Sequence, residues 1–281
     1  MSAIKLTILT ENNAVGGESR LKAEHGLSVF IETDELNILF DTGASSLFYS
    51  NSRKLDIELF GADIVVLSHG HYDHAGGLPK ALSEASRASV CLHKDALRHK
   101  FKKTKEGILK YIGIQPEVRK SLENAENAGR VKWVFDYLKL SDSITLFSSG
   151  GKAELPDDWP FFQEEEDGRD VPDRMIDEVS MLIEGDCASA LIVGCSHPGL
   201  VHIYKKAAEL ASKPIAAIIG GSHLVAASDK EIGEIAAYFE NKNLELYLGH
   251  CTSIHGYAQL CRYIPKKLHP LNAGLAFNLA L

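Results

Sequence analysis

Directly behind the apolar run Asp63-Ile64-Val65-Val66-Leu67, the chain carries His69-x-His71-x-Asp73-His74, three imidazoles and a carboxylate within six residues. Side chains two apart in an extended segment point the same way, so His69 and His71 can converge on one ion. Where the chain turns into a helix, Asp73 and His74 project together at a second point nearby. Imidazole and carboxylate are the ligands expected for Zn, Mn or Fe, with thiolate available for softer metals. Such a set supports Lewis-acid chemistry, in which a divalent ion activates water and polarises a carbonyl or phosphoryl centre.

Three further blocks repeat one arrangement of apolar strand, glycine and ligand-type side chain. Leu191-Ile192-Val193-Gly194 leads into Cys195-Ser196-His197-Pro198-Gly199, and Ile218-Ile219-Gly220-Gly221 into Ser222-His223. Leu246-Tyr247-Leu248-Gly249 leads into His250-Cys251-Thr252. Loops at strand ends are where α/β architectures gather their chemistry, so these loops together imply one shared site. Phe40-Asp41-Thr42-Gly43 places Asp41 at another strand end, suited to orient a ligand histidine through its ring N–H. His25, before Gly26 and a strand, is a candidate for contact with substrate. His93, His99, His202, His255 and His269 lack this setting and read as ordinary structural histidines.

Strands must place these ligands. Residues 4–10 alternate as a strand, Gly16-Gly17 opens a loop, and 27–31 and 37–40 read as β segments joined across Thr33-Asp34-Glu35. The run 63–67 has the near-continuous apolarity of a strand covered on both faces. A helix is expected over 78–86 with Pro79 in its first turn, then a strand over 89–93. Residues 95–140 are Lys-rich and mostly helical by pattern, with one break at 113–116. The acidic stretch 157–173, with Glu164-Glu165-Glu166-Asp167, reads as an exposed loop. We take 95–175 as a mostly helical insertion that caps or flanks a single domain spanning 1–281. Its basic run, Arg98-His99-Lys100-Phe101-Lys102-Lys103-Thr104-Lys105, reads as a solvated helix face, with contact to substrate phosphate as the alternative.

Beyond the insertion, 179–184 and 190–194 read as a strand pair across Gly185-Asp186. Helices are expected over 200–211, 229–240 (N-capped by Ser228) and 255–264, and strands over 215–219 and 244–248. Two β-rich layers with helices outside fit this order, an α+β, four-layer αββα sandwich. No repeat of fixed period is visible, which excludes solenoids.

The chain has 281 residues, 45% of them hydrophobic and 24% charged, which is ordinary globular composition. Its formal net charge of −8 disfavours sequence-independent binding to phosphate backbones, so no nucleic acid is expected. The five cysteines form no CxxC pair and are odd in number, the pattern of a reducing compartment. No signal-peptide core or membrane-length apolar run is present. The expectation is a soluble cytoplasmic protein with no membrane partner, acting on a small anionic molecule, with homo-oligomerisation left open.

The His69–His74 cluster, with Asp41-Thr42-Gly43 upstream and the downstream histidine loops, resembles the metallo-β-lactamase-fold superfamily. More closely, Gly194-Cys195-Ser196-His197-Pro198-Gly199, Gly220-Gly221-Ser222-His223-Leu224 and Gly249-His250-Cys251-Thr252 are similar to one subgroup. That subgroup is named for 7,8-dihydropterin-6-methyl-4-(β-D-ribofuranosyl)aminobenzene-5′-phosphate synthase. The resemblance covers about 1–94 and 176–281. It implies a one- or two-metal centre at one sheet edge. His69 and His71 would bind the first ion, Asp73 and His74 the second. His250 would be the last metal-binding histidine and His197 the remaining ligand. Many superfamily hydrolases carry a bridging aspartate where this chain has Cys195, which becomes a ligand or a residue lining the site. His223 has no counterpart in the general motif set and is assigned to substrate or transition-state contact.

The implied cofactors are two divalent metal ions, zinc foremost, with manganese or iron also accepted by the donors. The implied activity is a metal-dependent hydrolase attacking a phosphoryl or carboxyl ester-type bond, with Asp73 taking the nucleophile's proton and His223 assisting the leaving group. One alternative is a synthase that condenses a pterin diphosphate with a ribofuranosylaminobenzene phosphate-like co-substrate. Another is a non-catalytic metal-dependent binding protein. A di-iron redox centre is set aside, because it calls for Glu at His71 and a flavin domain.

Overall fold

Ile38-Leu39-Phe40 and Ile64-Val65-Val66 are apolar at every position, and such strands can only be buried on both faces. A computed structural model describes residues 3–16, 20–104, 106–151, 162–166 and 169–281. Gly17, Lys105 and parts of the acidic stretch (157–161 and 167–168) lie outside the described residues.

The chain opens with β1 (Ala3–Thr10), β2 (Ser28–Glu32) and β3 (Asn37–Phe40), then α1 (Leu47–Lys54) and β4 (Ile64–Val66). A single turn, α2 (Tyr72–Ala75), precedes α3 (Leu78–Glu84) and β5 (Ser89–Leu92). Next come β6 (Lys100–Lys103), β7 (Leu109–Tyr111), α4 (Pro116–Asn127), β8 (Val131–Trp133), β9 (Tyr137–Lys139) and β10 (Ile144–Ser148). They are followed by β11 (Phe162–Glu166), β12 (Arg169–Pro172), β13 (Val179–Glu184) and β14 (Ser189–Ile192). The last part runs α5 (Leu200–Leu210), β15 (Ile215–Gly221), α6 (Asp229–Glu240), β16 (Glu245–Gly249), α7 (Ser253–Tyr263), β17 (Leu268–Pro270) and β18 (Ala276–Ala280).

Two seven-stranded sheets result, ordered β18-β1-β2-β3-β4-β5-β8 and β17-β16-β15-β14-β13-β10-β9. Alternate residues of one strand enter different layers. Ile38, Phe40, Ile64 and Val66 join Ile192 and Ile219 in the core between the sheets. Leu39 and Val65 face the other way, onto Phe48 of α1, Leu78 of α3 and Val118 of α4. Leu191 and Ile218 likewise turn outward, onto Ile203, Phe239 and Leu260 of α5, α6 and α7. The layers are therefore helix, sheet, sheet, helix, as the alternation of the sequence predicts. Ser228 caps α6 in a reciprocal capping box with Glu231.

The segment expected to be mostly helical is largely β. Within 95–140 the α-helix is α4, starting at the predicted break, and the rest includes β6, β7, β8 and β9. The acidic stretch expected as a loop contributes β11 and β12. These pair with β6 and β7 as a third sheet, ordered β12-β11-β6-β7. The helical reading failed because propensity is a weak guide, and the cross-strand pairing of β6 with β7 and β11 overrides the helical preference of Lys and Glu. Strand β8 joins the first main sheet beside β5, and β10 joins the second beside β13.

The basic run is equally unlike a solvated helix face. Lys100 is buried, its Nζ 2.7 Å from Asp173 Oδ2 and 2.9 Å from Asp177 Oδ1. Burial opposes charge on Lys100, yet the two carboxylates raise its pKa. Burial likewise opposes charge on Asp177, but Lys100 and the Gly70 N–H lower its pKa. The ionised Asp177 thus stabilises the fold above the ordinary aspartate range, and that stability is lost as pH falls through its depressed pKa. Lys100→Met leaves two buried carboxylates without their cation, and the expected loss is about 3–5 kcal/mol at neutral pH. Urea unfolding across pH would show it, with the gap to the native protein narrowing as pH falls through the depressed pKa of Asp177.

Candidate metal centre

Strands β3, β4 and β5 run parallel, as do β14, β15, β16 and β17, so their C-terminal ends gather the following loops along common edges. The chain leaves β4 through Ser68, whose N–H and Oγ–H donate to Asp41 Oδ1 and Oδ2, each at 2.7 Å. Ser68 Oγ lies 2.9 Å from His69 Nδ1, turning His69 Nε2 inward to within 3.0 Å of His71 Nδ1. His197 arrives from the other sheet, its ring centroid 4.8 Å from that of His69 and 5.0 Å from that of His71. Its Nδ1 is held at 2.7 Å by Glu178 Oε2, and the Glu178 carboxylate also accepts the N–H groups of Ser196 and His197.

A second set forms beside it. His74 Nδ1 donates to Asp41 Oδ2 at 2.6 Å, and its Nε2 faces His250 Nε2 at 3.0 Å. Asn12 Oδ1 holds the far nitrogen of His250 at 3.0 Å, and Glu11 Oε1 accepts its backbone N–H. Asp73 Oδ2 sits 3.4 Å from His250 Nε2 and 3.9 Å from His74 Nε2. His25, half-exposed, brings Nε2 to 3.2 Å from the same oxygen. Asp41, Ser196, His223 and His250 have φ of 58°, 61°, 48° and 52°, strained values that cluster here as they do at functional sites.

Cys195 lies between the sets. Its Sγ is 3.2 Å from His74 Nε2, and it lies within 4.8 Å of ligand atoms in three groupings: His69 with His74, His197 with His223, and His250 with Cys251. Gly194, just before it, is there of necessity, because a Cβ would lie 2.2 Å from Ser68 Oγ. Burial and the neighbouring Cys251 push the Cys195 thiol well above its ordinary pKa. Burial acts in the same sense on Cys251, but hydrogen bonds from Cys195 and His223 overcome it and bring that thiol to about 6.

Burial lowers the pKa of His69, His71, His223 and His250, and takes His197 to about 3, so these imidazoles are neutral near pH 7. Burial would do the same to His74, but Asp41 and Asp73 raise it to about 9. Burial takes Glu178 up to about 8 despite the N–H groups aimed at it. Asp73 stays ionised, because His25 and His250 outweigh its burial. Nitrogen therefore faces nitrogen at 3.0 Å in two places, each with the opposite ring nitrogen of at least one partner engaged by an oxygen. At His74 and His250 both far nitrogens meet oxygens, so the space between the two Nε2 atoms calls for a positive charge, the proton that the raised His74 pKa reflects or a metal ion in its place. The donor set thus fits divalent metal ions, with oxygen acceptors fixing the tautomers. His69, His71 and His197 would hold one ion, and Asp73, His74 and His250 a second, with Cys195 near both.

A cavity of about 710 Å³ opens above the two sets, lined by His25, His71, Asp73, Cys195, His197, His223 and His250 among others. His69 and His74 lie beneath it, fully buried. Every residue assigned to the site from sequence is thereby brought together, with Asp41 underneath. None of the other histidines lines the cavity. His93 caps a turn at Asp95, while His99, His255 and His269 meet Glu165, Asp229 and Glu245. Sequence reasoning missed Glu178, Glu11, Asn12 and Cys251. The signal for Glu178 was an acidic pair, Asp177-Glu178, immediately before a strand buried along all but its last residue. For Glu11 and Asn12 it was polar residues at the very end of β1.

The metallo-beta-lactamase superfamily model matches residues 21–179, more than half of the chain, and the chain belongs to that superfamily. A 7,8-dihydropterin-6-methyl-4-(beta-D-ribofuranosyl)-aminobenzene-5'-phosphate synthase of Methanocaldococcus jannaschii is 30% identical over 96% of this chain and 95% of its own. An uncharacterized protein of the same organism is also 30% identical, over 91% of this chain and 93% of its own. Among solved structures, Tm1679, described as a metal-dependent hydrolase of the beta-lactamase superfamily, shares 28% identity with a TM-score of 0.81, covering 99% of this chain and all of its own.

Asp41→Asn and Glu178→Gln keep side-chain shape but remove the carboxylate behind His74 and His197. Each is expected to weaken metal affinity about 10–100-fold in chelator competition. Circular dichroism should show the fold retained.

Proposed function

We propose that the chain is a metal-dependent hydrolase acting on a phosphoryl or carboxyl ester-type bond of a small anionic substrate. The observation that carries this reading is the pair of buried, mostly neutral imidazole sets on the floor of one open cavity. Divalent ions held there would supply Lewis acidity and an activated water nucleophile. Zinc suits the nitrogen, carboxylate and thiol donors best, and manganese or iron would also be accepted.

The protein's own residues do the rest. Asp73 remains ionised, lines the cavity, and presents Oδ2 between His25 and His250, where it orients a nucleophile and accepts its proton. His25 stands over this oxygen at the cavity wall and contacts substrate. His223, neutral at pH 7 because burial lowers its pKa, offers an N–H donor to negative charge developing on the leaving group. Glu178 and Asp41 hold His197 and His74 in one tautomer throughout. The free thiols and the absence, among the described residues, of a helix able to cross a membrane suit action in the cytoplasm.

The synthase-named relative at 30% identity supports a second reading, in which the same centre binds a diphosphate leaving group and a co-substrate nucleophile replaces water. One experiment separates the two. Elemental analysis of native protein, His71→Ala and Cys195→Ala is expected to give two equivalents, with loss in both variants. The loaded native protein should turn over bis(4-nitrophenyl) phosphate or 4-nitrophenyl esters, and His71→Ala should be slower by at least ~10²-fold. Full loading with turnover only of a pterin diphosphate and an aminobenzene co-substrate would establish the synthase instead. Full loading with no turnover of either kind leaves a binding protein.

A further inference from the structure

Strands β6 and β7 stand outside the two main sheets, and their register sets Lys102 directly opposite Lys110. Like charges at such a position repel and cost stability, so the pair calls for a counter-charge. Lys100, on the same strand as Lys102, has one, being buried against Asp173 and Asp177. Lys102 and Lys110 are exposed and, among the described residues, neither is held by an ion pair or hydrogen bond. Both line the cavity whose floor carries His71, Asp73, His197 and His250. Lys103, the next residue of β6, belongs to the other face of the strand and does not line it.

The rest of the wall mixes polar residues, Glu11, Asn13 and Asn272 among them, with apolar ones. Ile112, Val225 and Ile254 are among the apolar ones, and Val225 and Ile254 are 59% and 81% exposed, free to pack against a ligand. An ammonium pair, a partly apolar wall and a centre built for divalent cations thus share one chamber. We propose that Lys102 and Lys110 form a second anion subsite, so that the substrate carries two anionic groups joined by an apolar segment. One group meets the metal centre. The other, a phosphate-type dianion, neutralises both lysines, while the segment lies against Ile112, Val225 and Ile254. Two compact point charges suit a dianion better than a single carboxylate, whose planar fork is matched by arginine. This inference rests on the metal-dependent reading above and adds the substrate's far end to it.

The test is calorimetric binding to metal-loaded protein, using alkane bisphosphonates of graded chain length against alkylphosphonates of the same lengths. At one length or more, the bisphosphonate is expected to bind the native protein about tenfold more tightly, the scale of two exposed ion pairs. Lys102→Gln with Lys110→Gln should abolish that advantage, leaving alkylphosphonate affinity and metal content unchanged. Lys103→Gln should behave as native. An advantage that persists in the double variant, or none at any length while alkylphosphonates bind, overturns the subsite and leaves the metal centre standing. Failure of alkylphosphonates to bind fully loaded protein overturns the anion-binding reading of the metal centre, and the subsite with it.

Discussion

Histidine rings buried this closely coexist only if a proton or a metal cation lies between facing nitrogens, and the tautomer each ring presents is set by an acceptor behind its opposite nitrogen. Asp41 provides it for His74 and, through Ser68, for His69. Glu178 provides it for His197, and Asn12 for His250. A buried carboxylate costs several kcal/mol unless its oxygens are satisfied, on the order of the whole margin of stability for a single domain. Both carboxylates are satisfied. Asp41 accepts three hydrogen bonds from Ser68 and His74, and Glu178 accepts three from Ser196 and His197.

These acceptors explain why the site needs both sheets. Asp41 follows β3 and Asn12 follows β1 in the first sheet, whereas Glu178 precedes β13 in the second. Neither sheet alone holds all the imidazoles in the right tautomer. The sheets must also approach closely at this edge, and Gly194 permits that, since any side chain would strike Ser68 Oγ. Left-handed backbone at Asp41, Ser196, His223 and His250 is the conformational cost of aiming residues from four loops at one point. The apolar contacts between the sheets, not the site itself, offset that cost.

The residues that meet at the cavity floor were legible in the sequence because a short apolar strand running straight into histidine, aspartate or cysteine is a local pattern. Period-two burial made the main strands legible for the same reason. What escaped was non-local. Glu178 and Asn12 act on residues 19 and 238 positions away, and nothing within a window around either marks the partner. The segment 95–140 failed differently: its Lys-rich composition carries no period that separates an exposed strand from an exposed helix. Only the pairing of β6 with β7 and β11, a tertiary fact, decides between them. Lys100 was hidden within that run, since a buried lysine and an exposed one are the same letter.

Asp177 and Glu178 show how the site and its surroundings are made into one unit. Glu178 fixes His197 in the second sheet, while Asp177 accepts the N–H of Gly70, between His69 and His71, at 2.8 Å. Asp177 also binds Lys100, two residues before Lys102 in β6. Two consecutive carboxylates therefore tie together a ligand from one sheet, the ligand loop of the other, and the strand that carries a cation into the cavity. The formal net charge of −8 is spread over the whole chain, and beyond a Debye length of roughly 8–10 Å it is screened. An anion inside the cavity responds instead to the cations nearest it. The position of Lys102 relative to the imidazoles is thus set by a buried ion pair and a backbone hydrogen bond, which are far stiffer than the exposed side chain they support.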